Sequence, residues 1–130
     1  MKHIKLGSIL LAGLAILLLA ACSGNADGPA QAIEGYIQAL ADKDQDTLVS
    51  LSCNAWEESA LMELDSLSGV GAQVKDLSCQ ETGKDGEDSL VTCTGKLELD
   101  YNGELQELDL SGRTLVARLE DGEWRACGYK

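Results

Sequence analysis

Residues 96–112 read KLELDYNGELQELDLSG, and the reading of this stretch decides the fold. Leu97, Leu99 and Tyr101 alternate with Glu98 and Asp100, the period of a strand with one buried and one wet face. Asn102-Gly103 is a strong two-residue hairpin signal. Beyond it, Leu108, Leu110 and Gly112 alternate with Asp109 and Ser111, whereas Leu115, Ala117 and Leu119 fall on the opposite parity. A bulge near Gly112-Arg113 is the expected way to join the two halves into one bent strand.

Outward from this hairpin, Lys84-Asp85-Gly86 and Asp121-Gly122 are further turn signals. They divide the second half of the chain into strands expected at 73–81, 89–101, 105–119 and 123–129, a curved four-stranded antiparallel meander. Upstream the period changes to that of helices. Asp27-Gly28-Pro29 is a helix start with a cap and a proline in the first turn, and Ala30, Ile33, Ile37, Leu40 and Ala41 form an apolar stripe. A second short helix fits 44–51. A third begins at Asn54, with Glu57 completing a capping box, Trp56, Ala60, Leu64 and Leu67 facing inward, and Gly69 as its stop. About three short helices followed by an antiparallel meander define an α+β fold with the helices on one face of the sheet.

The N-terminus carries an address. Lys2 and Lys5 precede an uncharged run of 16 residues, 6–21, shorter than the roughly 20 apolar residues a membrane span needs. Its end, Leu19-Ala20-Ala21-Cys22, resembles the bacterial lipobox. The resemblance implies a cleaved signal peptide over 1–21, an acyl-bearing Cys22 as the mature N-terminus, a lipidated tether over 22–28 and a single domain over 29–130. Acyl chains contribute about 0.8 kcal/mol per buried methylene, so two or three hold a small domain on a membrane.

Cleavage at that point removes two lysines and no acid, leaving eight Lys+Arg against 22 Asp+Glu, a net charge of −14. Such a surface does not neutralise phosphates, which argues against nucleic acid, and it leaves anchoring to the lipid rather than to electrostatic adhesion. The only histidine, His3, leaves with the signal. Cys53, Cys79, Cys93 and Cys127 remain, an even number that reads as two disulfides in an exported chain. Their wide spacing fits neither zinc nor a Cys-x-x-C redox site, and their pairing is open among three possibilities. Because Cys53 lies among the helices and the others on strands, one bond must tie the two layers together.

The order of helices and strands over 29–130, with QALADKD in the first helix and LEDGEWRACGY at the end, resembles the nuclear transport factor 2-like (cystatin-like α+β) superfamily, and small bacterial lipoproteins of that fold. That superfamily contains enzymes, ligand binders and interaction modules, so the resemblance implies a fold and leaves function to the site. Its enzymes place a few polar residues in the cone between helices and sheet. Here Tyr36 or Tyr101 with Asp100 are the available phenol and carboxylate, but Asp100 alternates to the wet side. Serine and cysteine nucleophiles lack a histidine base. Asp42, Asp44 and Asp46 have the first spacings of a calcium loop, yet Thr47 and Cys53 stand where glycine and glutamate are required; helix caps explain them better. Gly69 to Ala72, GVGA, lacks the lysine and following helix of a phosphate loop. Trp56 and Trp124, with Tyr36, are the candidate pocket lining; in a mature chain without phenylalanine their rings are also the natural core fillers.

The sequence therefore describes a lipid-anchored, extracytoplasmic, non-enzymatic binding or interaction module. Its expected partners are the membrane through Cys22 and an envelope protein or small ligand, with no cofactor, metal or nucleic acid. The alternatives are an apolar-ligand binder using the cone, and an isomerase- or hydratase-like enzyme.

Overall fold

The computed structural model describes residues 28–130. The signal segment, the lipobox with Cys22, and the tether as far as residue 27 lie outside the described residues. Three helices, α1 (Pro29–Asp42), α2 (Gln45–Ser50) and α3 (Glu57–Ser66), precede five strands. These are β1 (Gly71–Asp85), β2 (Asp88–Tyr101), β3 (Glu104–Asp109), β4 (Thr114–Glu120) and β5 (Glu123–Tyr129). The α+β architecture expected from the sequence is the one observed.

The helix starts follow local chemistry in two cases out of three. Gly28 and Pro29 open α1. The Asp44 carboxylate caps α2, accepting from the Thr47 amide at 3.2 Å and its hydroxyl at 2.6 Å, which accounts for the acidic segment without calcium. The capping box expected at Asn54 does not form: α3 begins at Glu57, with Trp56 in the cap position and no side-chain cap. The Asn54 backbone N–H, which a capping box would have bonded to Glu57, donates instead to the Glu120 carboxylate at 3.1 Å.

The meander has five strands rather than four, because the expected third strand is broken. In place of a bulge, a 3-10 turn at Leu110–Gly112 separates β3 from β4. Asp109 caps it by accepting from the Ser111 amide at 2.9 Å, and Leu110 drops into the core. The turn resets parity, which is how Leu108 and Leu110 before it and Leu115 after it, of opposite phase, all turn toward the core, while Leu105 and Leu119 at the far ends stay exposed. Both pieces pair with the same edge of β2, β4 with Ser89–Thr92 and β3 with Lys96–Tyr101, while β1 runs along the other edge. β5 completes the order outside β4.

The same line of bending crosses the neighbouring strands. On β1 two residues, Asp76 and Leu77, face the single Gly95 of β2. Gly95 has φ +110°, and a Cβ there would lie 2.6 Å from the carbonyl oxygens of both Lys75 and Asp76. Only glycine meets both demands. Gly95→Ala is expected to cost at least about 2 kcal/mol, seen as a lower urea midpoint with unchanged slope.

The core lies between α1 and the sheet. Ile33, Tyr36, Ile37, Leu48 and Ala60 from the helices meet Val91, Cys93, Leu97, Leu110, Leu115, Ala117 and Ala126. Two of the sheet positions facing α1 and α2 are alanine, which lets the layers approach closely. Two disulfides close the structure. Cys79 and Cys93 stand directly opposite on β1 and β2, Cα atoms 4.0 Å apart. Cys53–Cys127 joins the helical layer to β5, as one bond had to. Beside it the chain forms a parallel bridge: Cys53 donates its amide to the Ala126 carbonyl at 2.8 Å, and the Ala126 amide donates to Leu51 at 2.7 Å.

Candidate functional site

At the mouth of the cone α1, α3 and β5 bring four polar-capable side chains together. Tyr36 points inward from α1 and is 1% exposed. Its hydroxyl donates to Glu63 Oε2 at 2.8 Å and accepts from Trp56 Nε1 at 3.0 Å. The Tyr129 hydroxyl donates to the same Glu63 oxygen at 3.3 Å. Trp56 and Tyr129 meet edge to face, centroids 5.8 Å apart, and the Arg113 guanidinium lies 5.7 Å from the Tyr129 ring.

Two backbone features assemble this cluster. β5 carries one extra residue between the pairs Ala117↔Ala126 and Leu115↔Tyr129, which brings Tyr129 opposite the buried Leu115. Gly128, at φ +111°, sits on that irregularity, and a Cβ there would come within 3.2 Å of the Trp56 ring. The bare backbone makes room for the indole.

Electrostatically the cluster holds its protons. Burial raises the Tyr36 phenol well above the ordinary tyrosine range; the bond from Trp56 opposes this, and the nearby Glu63 charge adds to it. Burial, followed by Glu63, pushes Tyr129 up to about 12. A catalytic acid or base works best with a pKa near the operating pH, and both phenols are moved away from it. The arrangement suits a hydrogen-bonded plug.

Of the residues singled out in the sequence, Tyr36 and Trp56 are brought together and Trp124 is not. Trp124 sits half-buried opposite Leu119 at the other end of β5, with Lys84 Nζ 5.9 Å from its ring. Tyr101 is 41% exposed, and Asp100 is occupied in the hairpin turn, accepting from the Gly103 amide at 2.6 Å. The Tyr–Asp pairing considered for the cone is therefore absent, and the carboxylate that does meet Tyr36 is Glu63. Its position was legible in principle: Glu63 falls three residues after Ala60 and four before Leu67, on the inward stripe of α3. Glu34 is a second inward acid, accepting from the Cys79 amide at 2.8 Å.

Two hollows lie outside the cone. A groove of about 550 Å³ runs between the end of α1 and the β1–β2–β3 face, walled by Gln38, Asp42, Gln73, Glu98, Asp100 and Leu105. Another of about 620 Å³ lies between the α2–α3 connection and the β4–β5 turn, walled by Asn54, Glu57, Glu120, Glu123 and Arg125. Both are open and dominated by acids. Among the described residues no group of three or more His, Cys, Asp or Glu side chains could hold a metal ion.

No protein-family profile matches the chain, and no curated protein matches it in sequence. Solved structures do share its fold. A SEC-C motif containing protein from Rhodopseudomonas palustris matches with TM-score 0.55 and 15% identity over 82% of this chain and 80% of its own. A Pseudomonas putida protein provisionally called a polyketide cyclase matches with TM-score 0.51 and 12% identity, covering 78% of this chain and 90% of that one. The helical cell shape determining protein Pgp2 of Campylobacter jejuni matches with TM-score 0.50 and 11% identity over 77% of this chain, which spans only 38% of the Campylobacter protein. These likenesses are of fold alone. Helices packed on a strongly bent antiparallel sheet make this an α+β domain with the fold these structures share.

Proposed function

We propose that the chain is a membrane-anchored bacterial lipoprotein whose domain acts outside the cytoplasm by binding a partner at its surface, without catalysis. The carrying observation is the filled cone: where this architecture can keep a cavity, Tyr36 and Trp56 occupy the space and bond to each other and to Glu63. Both hydrogen-bonding functions of the Tyr36 hydroxyl are taken, so no substrate proton is within its reach without breaking the cluster. Two disulfides point to an oxidising, extracytoplasmic setting. Among the described residues no helix is long and apolar enough to cross a membrane. One protein sharing the fold determines cell shape, and a role at the envelope is consistent with that.

The second reading is an enzyme that uses Tyr36 with Glu63, favoured by their 2.8 Å contact. The raised phenol weighs against it.

The test is intact mass and non-reducing peptide mapping of the protein extracted from its native membranes. The expected result is an acylated Cys22 as first residue and the four remaining cysteines in two bonds. An unmodified chain beginning elsewhere would overturn the anchor.

A further inference from the structure

The outer edges of the five-stranded sheet are covered to different extents, and that of β3 least. The outer edge of β5 is met at Ala126 by the bridge from Ser52, beside the Cys53–Cys127 bond. On β1, α1 lies alongside and Glu34 takes the Cys79 amide. β3 pairs with β2 and with no other strand. Of its six residues only Leu108 is half-buried, and Leu105 is 69% exposed. An unpaired strand edge is a template for another strand, and proteins commonly blunt it with lysine, proline or a bulge. β3, reading ELQELD, has no lysine, proline or bulge; its shortness and its three acids are what guard it.

Its backbone register is set by the hairpin. The two-residue turn at Asn102-Gly103 makes Tyr101 and Glu104 a bonded pair, so Gln106 and Leu108 also bond back to β2. The N–H and C=O groups of Leu105 and Glu107 then point to the open edge. The side chains beside them set the partner. Leu105, Glu107 and Asp109 share a face of the sheet with Asp100 and Glu98, and that face forms a wall of the 550 Å³ groove. Lys96 is the base paired there, to Glu107 at 2.8 Å. A second copy is a poor occupant, since pairing β3 with β3 would set acid against acid across the new ladder.

We propose that β3 is a strand-addition site for an extended, basic segment of a partner protein. The incoming backbone bonds to Leu105 and Glu107, an apolar side chain covers Leu105, and alternate lysines or arginines reach Glu107 and Asp109. This is recognition by sheet extension, with main-chain bonds giving affinity and the acidic face giving selectivity. The acids then have two effects: they hold like copies apart and admit a partner of opposite charge. The inference rests on the surface-binding reading above and names its partner class.

The experiment uses the full chain in non-ionic detergent and a fluorescein-labelled heptapeptide with lysine at its second and fourth positions, valine at its sixth and threonine elsewhere, which puts both lysines and the valine on one face; glutamate replaces lysine in the control. Anisotropy should show the basic peptide binding at least tenfold more tightly, and more weakly as salt is added. Amide exchange at Leu105 and Glu107 should slow at least tenfold when it binds. Leu105→Pro removes an outward N–H that makes no bond to β2, so it should abolish binding with little change in melting temperature. If that variant misfolds, the double variant Glu98→Lys, Glu107→Lys, both on the acidic face, decides: preference should shift towards the acidic peptide. Equal binding of both peptides, or exchange unchanged at Leu105 and Glu107, overturns the proposal. So does self-association of the chain that Leu105→Pro abolishes, which would give the edge to a second copy. None of these outcomes depends on acylation of Cys22, so failure here and failure of the anchor are separable.

Discussion

Replacing Cys53 and Cys127 together with alanine should lower the melting temperature by about 15–30 °C, the largest fall expected of any disulfide variant. The bond closes a loop with a sequence separation of 74 residues. Loop-closure entropy puts the stabilisation of such a loop at about 4.4 kcal/mol. Cys79–Cys93 spans a separation of 14, for which the same argument gives about 3 kcal/mol, a fall of about 10–20 °C. The positions differ in a second way. Cys79 and Cys93 lie in a ladder that other pairs of β1 and β2 hold in register, whereas Cys53–Cys127 fastens a helical connection to an edge strand. Circular dichroism melts of both double variants under non-reducing conditions check the order. Equal losses would mean that the unfolded chain is already compact and that loop length does not set the effect.

Tyr36→Ala should cost about 3–5 kcal/mol, because it empties the centre of the core and strands two polar partners. Tyr36→Phe separates those contributions. It keeps the ring but leaves the Trp56 N–H without its acceptor and Glu63 with only the longer bond from Tyr129, a loss of about 1–3 kcal/mol. The pH dependence carries a sign that identifies the cluster. Both phenols titrate higher in the folded protein than in the unfolded chain, so above pH of about 10 the unfolded chain releases protons the fold still holds. The stabilisation is fully present below that pH and is lost as pH rises through the folded values, the Tyr129 value of about 12 among them. Urea midpoints between neutral pH and the alkaline limit should therefore fall for the native protein and fall less steeply for Tyr36→Phe. A flat profile in the native protein would show that the phenols are not held protonated by the fold.

The sequence alone determined what depends on near neighbours. Alternation in KLELDY and the turn at Asn102-Gly103 specify a hairpin wherever they occur, and the stripe through Ile33 and Ile37 specifies an inward helical face. The order of elements then leaves few ways to cover one face of a meander with helices. The lipobox resemblance and the acidic balance belong to the same category, since they are read residue by residue. The opposed parity on either side of Gly112 announced that something must interrupt the third strand. It did not distinguish a bulge from a 3-10 turn, because the choice rests on where Leu110 finds space in the core. Disulfide pairing was open for a related reason: the hairpin loop length that aligns Cys79 with Cys93 is settled only when the whole ladder is in register. Tertiary structure also chose Glu63 over Asp100 as the partner of Tyr36, left α3 without the Asn54 cap, and brought Tyr129 against Trp56 and Glu63 through the irregularity at Gly128. Each of these outcomes joins residues far apart in the chain, and its energy comes from burial and hydrogen bonds that exist only once the layers have docked.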